Sequence, residues 1–208
     1  MGKDNYFGFE GIVGCGKTTQ SKLFAKELKR INPGVEVLWT FEPGGHSEIA
    51  LAIRKLVQGT AFEERMTERT EAYLYAAARA QTLPTEVEPV LDRGGFVVSD
   101  RTVDSSRSYQ GYGRGVGDDL VKRINGDAVG DLIPGKVAVI DVPPAVGWAR
   151  KKDKLGDKFD SMGIEFFERV RDGYLKMAEE EPERLLVVDG VGTVEEVQAR
   201  VCQALLGV

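Results

Sequence analysis

The sequence has few of the residues that build disulfide frameworks and metal sites, with two cysteines and one histidine among its 208 residues. Cys15 and Cys202 lie far apart in unlike surroundings, which points to neither a disulfide nor a metal site. No apolar run approaches the length of about 18 residues that a membrane span requires. With 28 basic and 33 acidic side chains, the chain also lacks the overall positive charge that holds nucleic acid.

The N-terminal segment lacks the apolar core of a signal peptide. Together with the low cysteine content, this predicts a cytoplasmic protein that binds neither nucleic acid nor membranes. The composition, 42% hydrophobic and 29% charged, is typical of a globular protein. No internal repeat, low-complexity segment or linker interrupts the chain, and we predict a single domain over residues 1–208.

Short apolar runs alternate with longer helical patterns. The candidate strands are Tyr6–Glu10, Val35–Thr40, Phe96–Asp100, Lys136–Val142 and Leu185–Asp189. Most are apolar at consecutive positions, which indicates strands covered on both faces. The helical patterns cover Lys17–Arg30, His46–Gly59, Thr67–Gln81, Val116–Asp127, Val146–Lys152, Ile164–Glu180 and Thr193–Leu206. This alternation predicts an α/β fold with a parallel sheet, and Pro134-Gly135 is predicted to be one of the turns between helix and strand.

The clearest motif is a glycine-rich segment that matches G-x-x-x-x-G-K-[ST], here called the phosphate loop: residues 11–18, GIVGCGKT. It leaves a predicted strand and opens a predicted helix. Its glycines let backbone N–H groups turn around phosphate oxygens, and the helix N-terminus adds partial positive charge. The residues predicted to bind ATP are Gly11, Gly14, Cys15, Gly16, Lys17, Thr18 and Thr19. The alternative is a glycine-rich turn that binds no ligand.

Within the phosphate loop, Lys17 is expected to reach the β- and γ-phosphates and the Thr18 hydroxyl to ligate Mg²⁺. Cys15 lies where the helix dipole favours a thiolate, so it is either a reactive thiol or a small filler. The loop alone indicates binding of a nucleoside triphosphate. Because the chain has no N-K-x-D guanine motif, a kinase with a small acceptor is favoured over a switch GTPase.

A series of further motifs, in this order and spacing, resembles the thymidylate kinase family over nearly the whole chain. They are Phe9-Glu10-Gly11, Glu42-Pro43-Gly44-Gly45, Tyr75 to Gln81, Ser99-Asp100-Arg101, Asp104 to Gly111, Gly113-Arg114-Gly115 and Phe167 to Tyr174. The resemblance implies a P-loop NTPase fold, with a five-stranded parallel sheet of order 2-3-1-4-5 flanked by helices on both faces. It also implies phosphorylation of dTMP to dTDP by MgATP. A homodimer is implied too, for which the stretches Leu51–Val57 and Ala76–Ala80 could serve.

Tyr75 and Arg79 lie four residues apart on one predicted helix, so both project from the same face. A ring and a guanidinium so placed can stack on a flat base and hydrogen-bond its edge. The resemblance assigns Tyr75 to the thymine ring and Arg79 to thymine O4. The alternative places Tyr75 in the core and Arg79 in a surface ion pair.

Asp100 and Arg101 lie at the C-terminal end of the third strand, where ligands gather in open parallel sheets. Arg101 can grip the acceptor phosphate through two hydrogen bonds, and Asp100 is expected to hold Mg²⁺ through water. The alternative is a buried Asp–Arg pair. By resemblance, Ser106 and Gln110 line the N3 edge of the base and Tyr109 lies near the sugar 2′ carbon. The full predicted acceptor set is Glu42, Pro43, Arg54, Tyr75, Arg79, Arg101, Ser106, Tyr109 and Gln110.

A basic segment at residues 148–160 resembles the lid that closes over ATP in this family. Its cations are Arg150, Lys151, Lys152, Lys154 and Lys158. Such a run is otherwise typical of a solvated helix end. Because a cation stabilises the charge that spreads over the γ-phosphate, we predict Arg150 as a catalytic residue, with Lys154 and Lys158 next. The predicted catalytic set is Lys17, Asp100, Arg101 and Arg150.

Departures from the family pattern fall mainly on the acceptor side. The positions are Val13, Phe41, His46, Thr102 and Lys158. Val13 replaces the acidic residue that faces the sugar 3′-hydroxyl, which suggests weak discrimination there. Phe41 replaces a cation, for which Arg54 is the candidate substitute. These departures keep two alternatives open: a kinase for another monophosphate such as dUMP, and a nucleotide-binding regulator without transfer activity.

Overall fold

The apolar runs form the strands of one parallel sheet in a computed structural model, which describes residues 2–59, 62–151 and 162–207. The strands are β1 (Lys3–Glu10), β2 (Val37–Phe41), β3 (Phe96–Asp100), β4 (Pro134–Asp141) and β5 (Leu185–Asp189). Their order is β2-β3-β1-β4-β5, and all pairings between them are parallel. The order expected from the family resemblance is confirmed.

Helices flank the sheet along the described residues. Their bounds are α1 (Lys17–Ile31), α2 (Glu48–Gln58), α3 (Glu68–Thr82), α4 (Glu88–Asp92), α5 (Val103–Ser106), α6 (Asp118–Val129), α7 (Pro144–Lys151), α8 (Ile164–Glu180) and α9 (Val194–Leu206). Within this described part of the chain, none of the helices is both long and apolar enough to cross a membrane.

The apolar core lies on both sides of the sheet because successive side chains of a strand point to opposite faces. Phe7 of β1 enters a large cluster and packs edge-on against Phe24 of α1, with ring centroids 5.1 Å apart. Its neighbour Tyr6 enters a second cluster, together with Leu83 and Val97. The central strands are therefore buried on both faces, as their unbroken apolar runs predict.

Two helical segments, residues 83–92 and 103–113, were not predicted from the sequence. A π-helical turn at Leu83–Val87 joins α3 to α4, and another at Arg107–Gly113 continues α5. The first segment contains Pro84 and Pro89, which lower helix propensity and hide the pattern. Pro84 is the second residue of the π-turn and Pro89 is the second residue of α4, positions at which the missing N–H of proline costs little.

Several predicted boundaries were wrong. The first strand begins at Lys3 rather than Tyr6. Pro134 and Gly135 do not form a turn but begin β4, where Pro134 lies opposite Lys3 of β1. Proline is tolerated at the first residue of a strand because no ladder hydrogen bond is required of it there. The second strand begins at Val37 rather than Val35 and extends to Phe41.

Parallel strands end at the same edge of the sheet, and this edge carries the candidate site. Phe9 of β1 and Phe41 of β2 are both in register with Asp100 at the end of β3. The phosphate loop therefore starts beside Asp100 and Arg101, at the edge where ligands bind in open parallel sheets.

Candidate active site

The phosphate loop runs from β1 into α1, as its sequence context predicts. Gly16 at the start of α1 has a φ of 100°, a left-handed conformation that favours glycine. Lys17 is buried, and its ammonium donates a 3.1 Å hydrogen bond to the carbonyl oxygen of Ile12 across the loop. The backbone of the phosphate loop thus holds the ammonium group of Lys17.

Thr18 and Asp100 bring two oxygen-bearing side chains together beside the loop. The Thr18 hydroxyl donates to Oδ2 of Asp100 over 2.5 Å. The second oxygen, Oδ1, is buried and accepts no hydrogen bond from the described residues. Hydroxyl and carboxylate oxygens are the ligands that Mg²⁺ prefers, so this pair fits the predicted cation.

No cluster of three or more histidine, cysteine or acidic side chains in the described ranges is arranged to hold a metal ion by itself.

Arg79 of α3 is the centre of a buried polar cluster at the other end of the site. Its guanidinium is 3% exposed and donates to Glu42 Oε2 over 2.6 Å. It also donates to the amide oxygen of Asn125, to the carbonyl oxygen of Thr102 at 3.1 Å and to the Ser106 hydroxyl at 3.4 Å. The alternative of a surface ion pair for Arg79 is therefore wrong.

The same helix carries Tyr75, one turn before Arg79 and only 8% exposed. Beside it, Gln110 Nε2 donates to Glu71 Oε1 over 2.8 Å, and Arg114 Nη2 donates to Glu71 Oε2 over 3.0 Å. Glu71 and Asn125 were not predicted from the sequence, because each contacts a partner from a distant segment.

Arg101 directly follows β3 and has a φ of 76°. Its Nη1 donates to the Ser105 hydroxyl over 3.0 Å, and its guanidinium carbon lies 4.9 Å from the centre of the Tyr109 ring. Asp100 and Arg101 do not form the buried pair with each other that we considered, because Asp100 bonds Thr18 and Arg101 bonds Ser105.

The phosphate loop and the polar cluster around Arg79 both open into one cavity of about 890 Å³. The predicted residues that line it are Gly14, Gly16, Lys17, Thr18, Thr19, Glu42, Pro43, Arg54, Tyr75, Arg79, Asp100, Arg101, Ser106, Tyr109, Gln110 and Arg150. Gly11 and Cys15 do not line it. Cys15 is 2% exposed and belongs to the apolar core, which agrees with a filler rather than a reactive thiol.

On the side of the predicted lid, Arg150 and Lys151 at the end of α7 line the cavity. Arg150 Nη1 donates to the carbonyl oxygen of Gly190 over 3.1 Å. The other predicted lid cations, Lys152, Lys154 and Lys158, lie outside the described residues.

The family model of thymidylate kinase matches residues 9–201, nearly the whole chain. The chain belongs to the thymidylate kinase family. Among curated relatives, the thymidylate kinase of Geotalea uraniireducens is 40% identical, with 97% of this chain and 96% of the relative covered. That of Caldanaerobacter subterraneus subsp. tengcongensis is 37% identical, with coverages of 98% and 95%. The crystal structure of thymidylate kinase from Ehrlichia chaffeensis superposes with a TM-score of 0.77 at 32% identity, covering 96% and 97% of the two chains.

Some departures from the thymidylate kinase pattern lie in the cavity wall. Phe41 carries the guanidinium of Arg54 over its ring, 5.3 Å from the ring centre, and Arg54 Nη1 donates to the carbonyl oxygen of Pro43 over 2.8 Å. The structure thus brings the predicted substitute cation next to Phe41. Trp39 also lines the cavity.

The other departures divide between the wall, the surface and the core. Val13 lines the cavity, and Thr102 is buried at its edge. His46 is exposed at the surface, and its Nδ1 lies 3.2 Å from Glu86 Oε2. Lys158 lies outside the described residues.

Proposed function

We propose that this protein transfers the γ-phosphoryl group of ATP to dTMP, forming dTDP and ADP. Membership of the thymidylate kinase family supports the reaction. The observation that carries the proposal is the single cavity of about 890 Å³, which joins the phosphate loop to the buried cluster around Arg79. ATP bound at the phosphate loop and dTMP bound at the cluster around Arg79 would bring their phosphates together in the middle of the cavity, beside Arg101.

At the acceptor end, Tyr75 would stack on the thymine ring and Arg79 would face its O4 edge. Arg79 is fixed by Glu42 and Asn125, so its direction is set before the substrate arrives. This preorganisation lowers the entropy lost on binding. Ser106 and Gln110 would line the rest of the base edge, with Tyr109 beside the sugar.

At the reacting end, a phosphate oxygen of dTMP would attack the γ-phosphorus. The new P–O bond forms as the bond between the γ-phosphorus and the β–γ bridging oxygen breaks, and ADP leaves with that oxygen. Because the acceptor is already an ionised phosphate oxygen, no general base is needed. Catalysis then consists of alignment and charge neutralisation by Lys17, Arg101 and Arg150, all of which line the cavity.

Thr18 and Asp100 would hold Mg²⁺, since the pair offers one hydroxyl and a carboxylate with a buried, unused oxygen. When bound, the ion would neutralise charge on the β- and γ-phosphates.

A coupled ADP-release assay with MgATP tests the function, with dTMP, dUMP, dCMP and dGMP as acceptors. We expect turnover that depends strictly on the acceptor and is fastest with dTMP. The variant Lys17→Met, which loses the phosphate-loop cation, should lose nearly all turnover. Fastest turnover with another monophosphate would replace the acceptor, and ATP binding without turnover on any acceptor would establish the regulator instead.

We further propose that one domain over residues 1–208, with a lid at 148–160, acts in the cytoplasm as a homodimer. Of the predicted contact stretches, Val57, Ala76 and Ala78 are buried within the protomer and cannot contribute. Large apolar side chains remain exposed on the adjoining helices α2 and α3: Ile49 (59%), Leu56 (39%) and Tyr73 (58%).

Sedimentation velocity tests the dimer. The wild-type protein should sediment as a dimer, and Leu56→Glu should shift it to the monomer by placing a charge in the apolar contact. Val187→Glu, on the exposed face of β5, is the matched control and should remain dimeric. A monomeric wild type, or equal dissociation of the two variants, would contradict the proposed interface.

A further inference from the structure

A buried carboxylate, that of Glu10, connects the phosphate loop to the acceptor end of the cavity. Glu10 is fully buried at the end of β1, directly before Gly11. Its Oε1 accepts from the backbone N–H groups of Thr102 at 2.7 Å and Ser105 at 3.0 Å, and from the Thr102 hydroxyl at 2.9 Å. Its Oε2 accepts from the hydroxyls of Ser105 and Tyr174, each at 2.6 Å.

The set of donors around Glu10 suits an ionised carboxylate. Burial raises the pKa of Glu10, and the nearby charge of Arg101 opposes that rise. Each contact at the two oxygens comes from an N–H or O–H group, and an ionised carboxylate is the form that only accepts. The carboxylate therefore ties the turn at 102–105 firmly to the end of β1.

The Ser105 hydroxyl carries this contact on to Arg101. A hydroxyl has one hydrogen, and that of Ser105 points to Glu10 Oε2. Its oxygen is thereby left to accept, and it accepts from Nη1 of Arg101 over 3.0 Å. The Tyr109 ring lies on another side of the same guanidinium. The direction of the Arg101 side chain is thus set by Ser105, whose own direction is set by Glu10.

The backbone of Arg101, like its side chain, is held in place by neighbouring residues. Among the described residues other than glycine, Arg101 alone has a positive φ, at 76°. A left-handed conformation of this kind persists only where its surroundings fix it. The N–H of Arg101 donates to the Phe9 carbonyl at 3.0 Å, and the Arg101 carbonyl accepts from the Ser99 hydroxyl at 2.6 Å. The next N–H, that of Thr102, is held by Glu10.

We propose that Glu10 is a positioning residue that holds Arg101 toward the acceptor phosphate by way of Ser105. The inference rests on the proposed function, in which Arg101 binds that phosphate. Glu10 is not part of the described cavity wall, so it acts through its neighbours. Glu10, which directly precedes the phosphate loop, thus also fixes the direction of the arginine that would bind the acceptor phosphate.

A matched pair of variants, Ser105→Ala and Tyr174→Phe, separates positioning from mere stability. Each removes one hydroxyl that donates to Glu10 Oε2 over 2.6 Å. The two hydroxyls lie 3.2 Å apart, and of the two only that of Ser105 accepts a hydrogen bond from Arg101. Losing a hydrogen bond to a charged group changes affinity about tenfold, so Ser105→Ala should raise the Kd and the KM for dTMP by about tenfold. The Kd for ATP should stay within about threefold of wild type, and Tyr174→Phe should leave both nucleotide affinities within that limit.

Glu10→Gln provides a direct test, since its amide N–H group would face hydroxyls that now donate. It should weaken dTMP binding at least as much as Ser105→Ala does. Arg101→Ala shows how much dTMP affinity is lost when the guanidinium is removed completely. If Ser105 acts through Arg101, the double variant Arg101→Ala/Ser105→Ala should bind dTMP as Arg101→Ala does, because interacting residues are not additive.

Calorimetric Kd values for dTMP and ATP, with melting temperatures, distinguish the outcomes. Unchanged dTMP affinity in Arg101→Ala would contradict the role of Arg101 in the proposed function. If Arg101→Ala weakens dTMP binding, three results would overturn the positioning role alone. These are normal dTMP affinity in Ser105→Ala, equal losses in Ser105→Ala and Tyr174→Phe, and additive losses in the double variant.

Discussion

Gly14 of the phosphate loop and Gly147 of α7 pack backbone against backbone. A β-carbon on Gly14 would overlap the carbonyl oxygen of Gly147, and one on Gly147 would lie 2.5 Å from the carbonyl oxygen of Val13. Since α7 ends in Arg150 and Lys151 at the cavity wall, this contact sets the distance between the phosphate loop and those cations.

Gly147→Ala should therefore impair the donor side. The added methyl group must move α7 away from the loop, and a displacement of about 1 Å can lower the rate by about a hundredfold. We expect kcat/KM for ATP to fall by about 10- to 100-fold in steady-state assays. The control is Gly126→Ala on α6, where an added β-carbon meets no atom within 4 Å.

Because alanine suits a helix interior better than glycine, Gly126→Ala should keep full activity and gain up to about 1 kcal/mol in free energy of unfolding. Wild-type kcat/KM for ATP in Gly147→Ala would show that the close contact has no part in nucleotide use.

With valine at position 13, the protein should recognise the 3′-hydroxyl of the acceptor sugar only weakly. An apolar side chain in the cavity wall cannot accept a hydrogen bond from a 3′-hydroxyl, and such a bond contributes about 0.5–1.5 kcal/mol. The kcat/KM for 3′-deoxy-TMP should therefore lie within about tenfold of that for dTMP. Val13→Asp should favour dTMP over the 3′-deoxy compound, and Val13→Ala should not. A loss of about a hundredfold or more with 3′-deoxy-TMP in the wild type would contradict this explanation.

Because of Asp104, the free energy of unfolding should depend on pH in the acid range. Burial alone would raise the pKa of Asp104, but the two hydrogen bonds from Arg184 at 2.8 Å and the charges of Arg184 and Arg107 outweigh it and hold the pKa below its usual 3.8. The stabilisation is thus present above pH 3.8 and lost as the pH falls through the lower folded-state value.

Asp104→Asn removes that charge permanently. At pH 7 it should lower the free energy of unfolding by about 3–5 kcal/mol, since a buried arginine loses its partner. Urea titrations at decreasing pH should show the gap between wild type and variant narrowing below pH 3.8. Asp118 and Glu181, whose pKa values are lowered by hydrogen bonds from Arg107 and Arg184 against the effect of burial, also titrate in this acid range, but both are present in wild type and variant alike. A constant gap down to pH 3 would show that Asp104 does not titrate as its contacts indicate.

The two cysteines should differ in their reactivity toward iodoacetamide. Cys15 is 2% exposed and packs in the core, whereas Cys202 is only partly buried. Burial raises the pKa of Cys202, so its labelling should be slow but should precede that of Cys15. Peptide mass spectrometry should find Cys15 modified only after unfolding. Early modification of Cys15 together with loss of activity, prevented by MgATP, would restore the reactive-thiol hypothesis.

The local parts of the fold and site could be predicted from the sequence. Strands such as β3 and β5 are continuous apolar runs, and the phosphate loop is a contiguous motif between a strand and a helix. The strand order is not local, and it came from the family resemblance rather than from the apolar pattern.

The long-range parts could not be predicted. Arg79 meets Asn125 from a helix 46 residues later, and Glu71 receives Gln110 from a π-helical turn. Nothing in the periodicity of either segment indicates the pairing, because each side chain faces its partner only once the sheet has brought the helices together. The π-turns themselves depend on tertiary packing that overrides helix propensity.

The span of the contacts at Glu10 has a consequence for the order in which the protein is made. Ser105 and Tyr174 lie 95 and 164 residues beyond Glu10. Since a chain emerges from the ribosome N-terminus first, the phosphate loop exists long before the last donor to Glu10 has been synthesised. A nascent chain that stops before α8 would carry the nucleotide-binding motif without the complete support of Arg101. The phosphate loop thus precedes both Arg150 and the last donor to Glu10 in time, and transfer must wait for nearly the whole polypeptide.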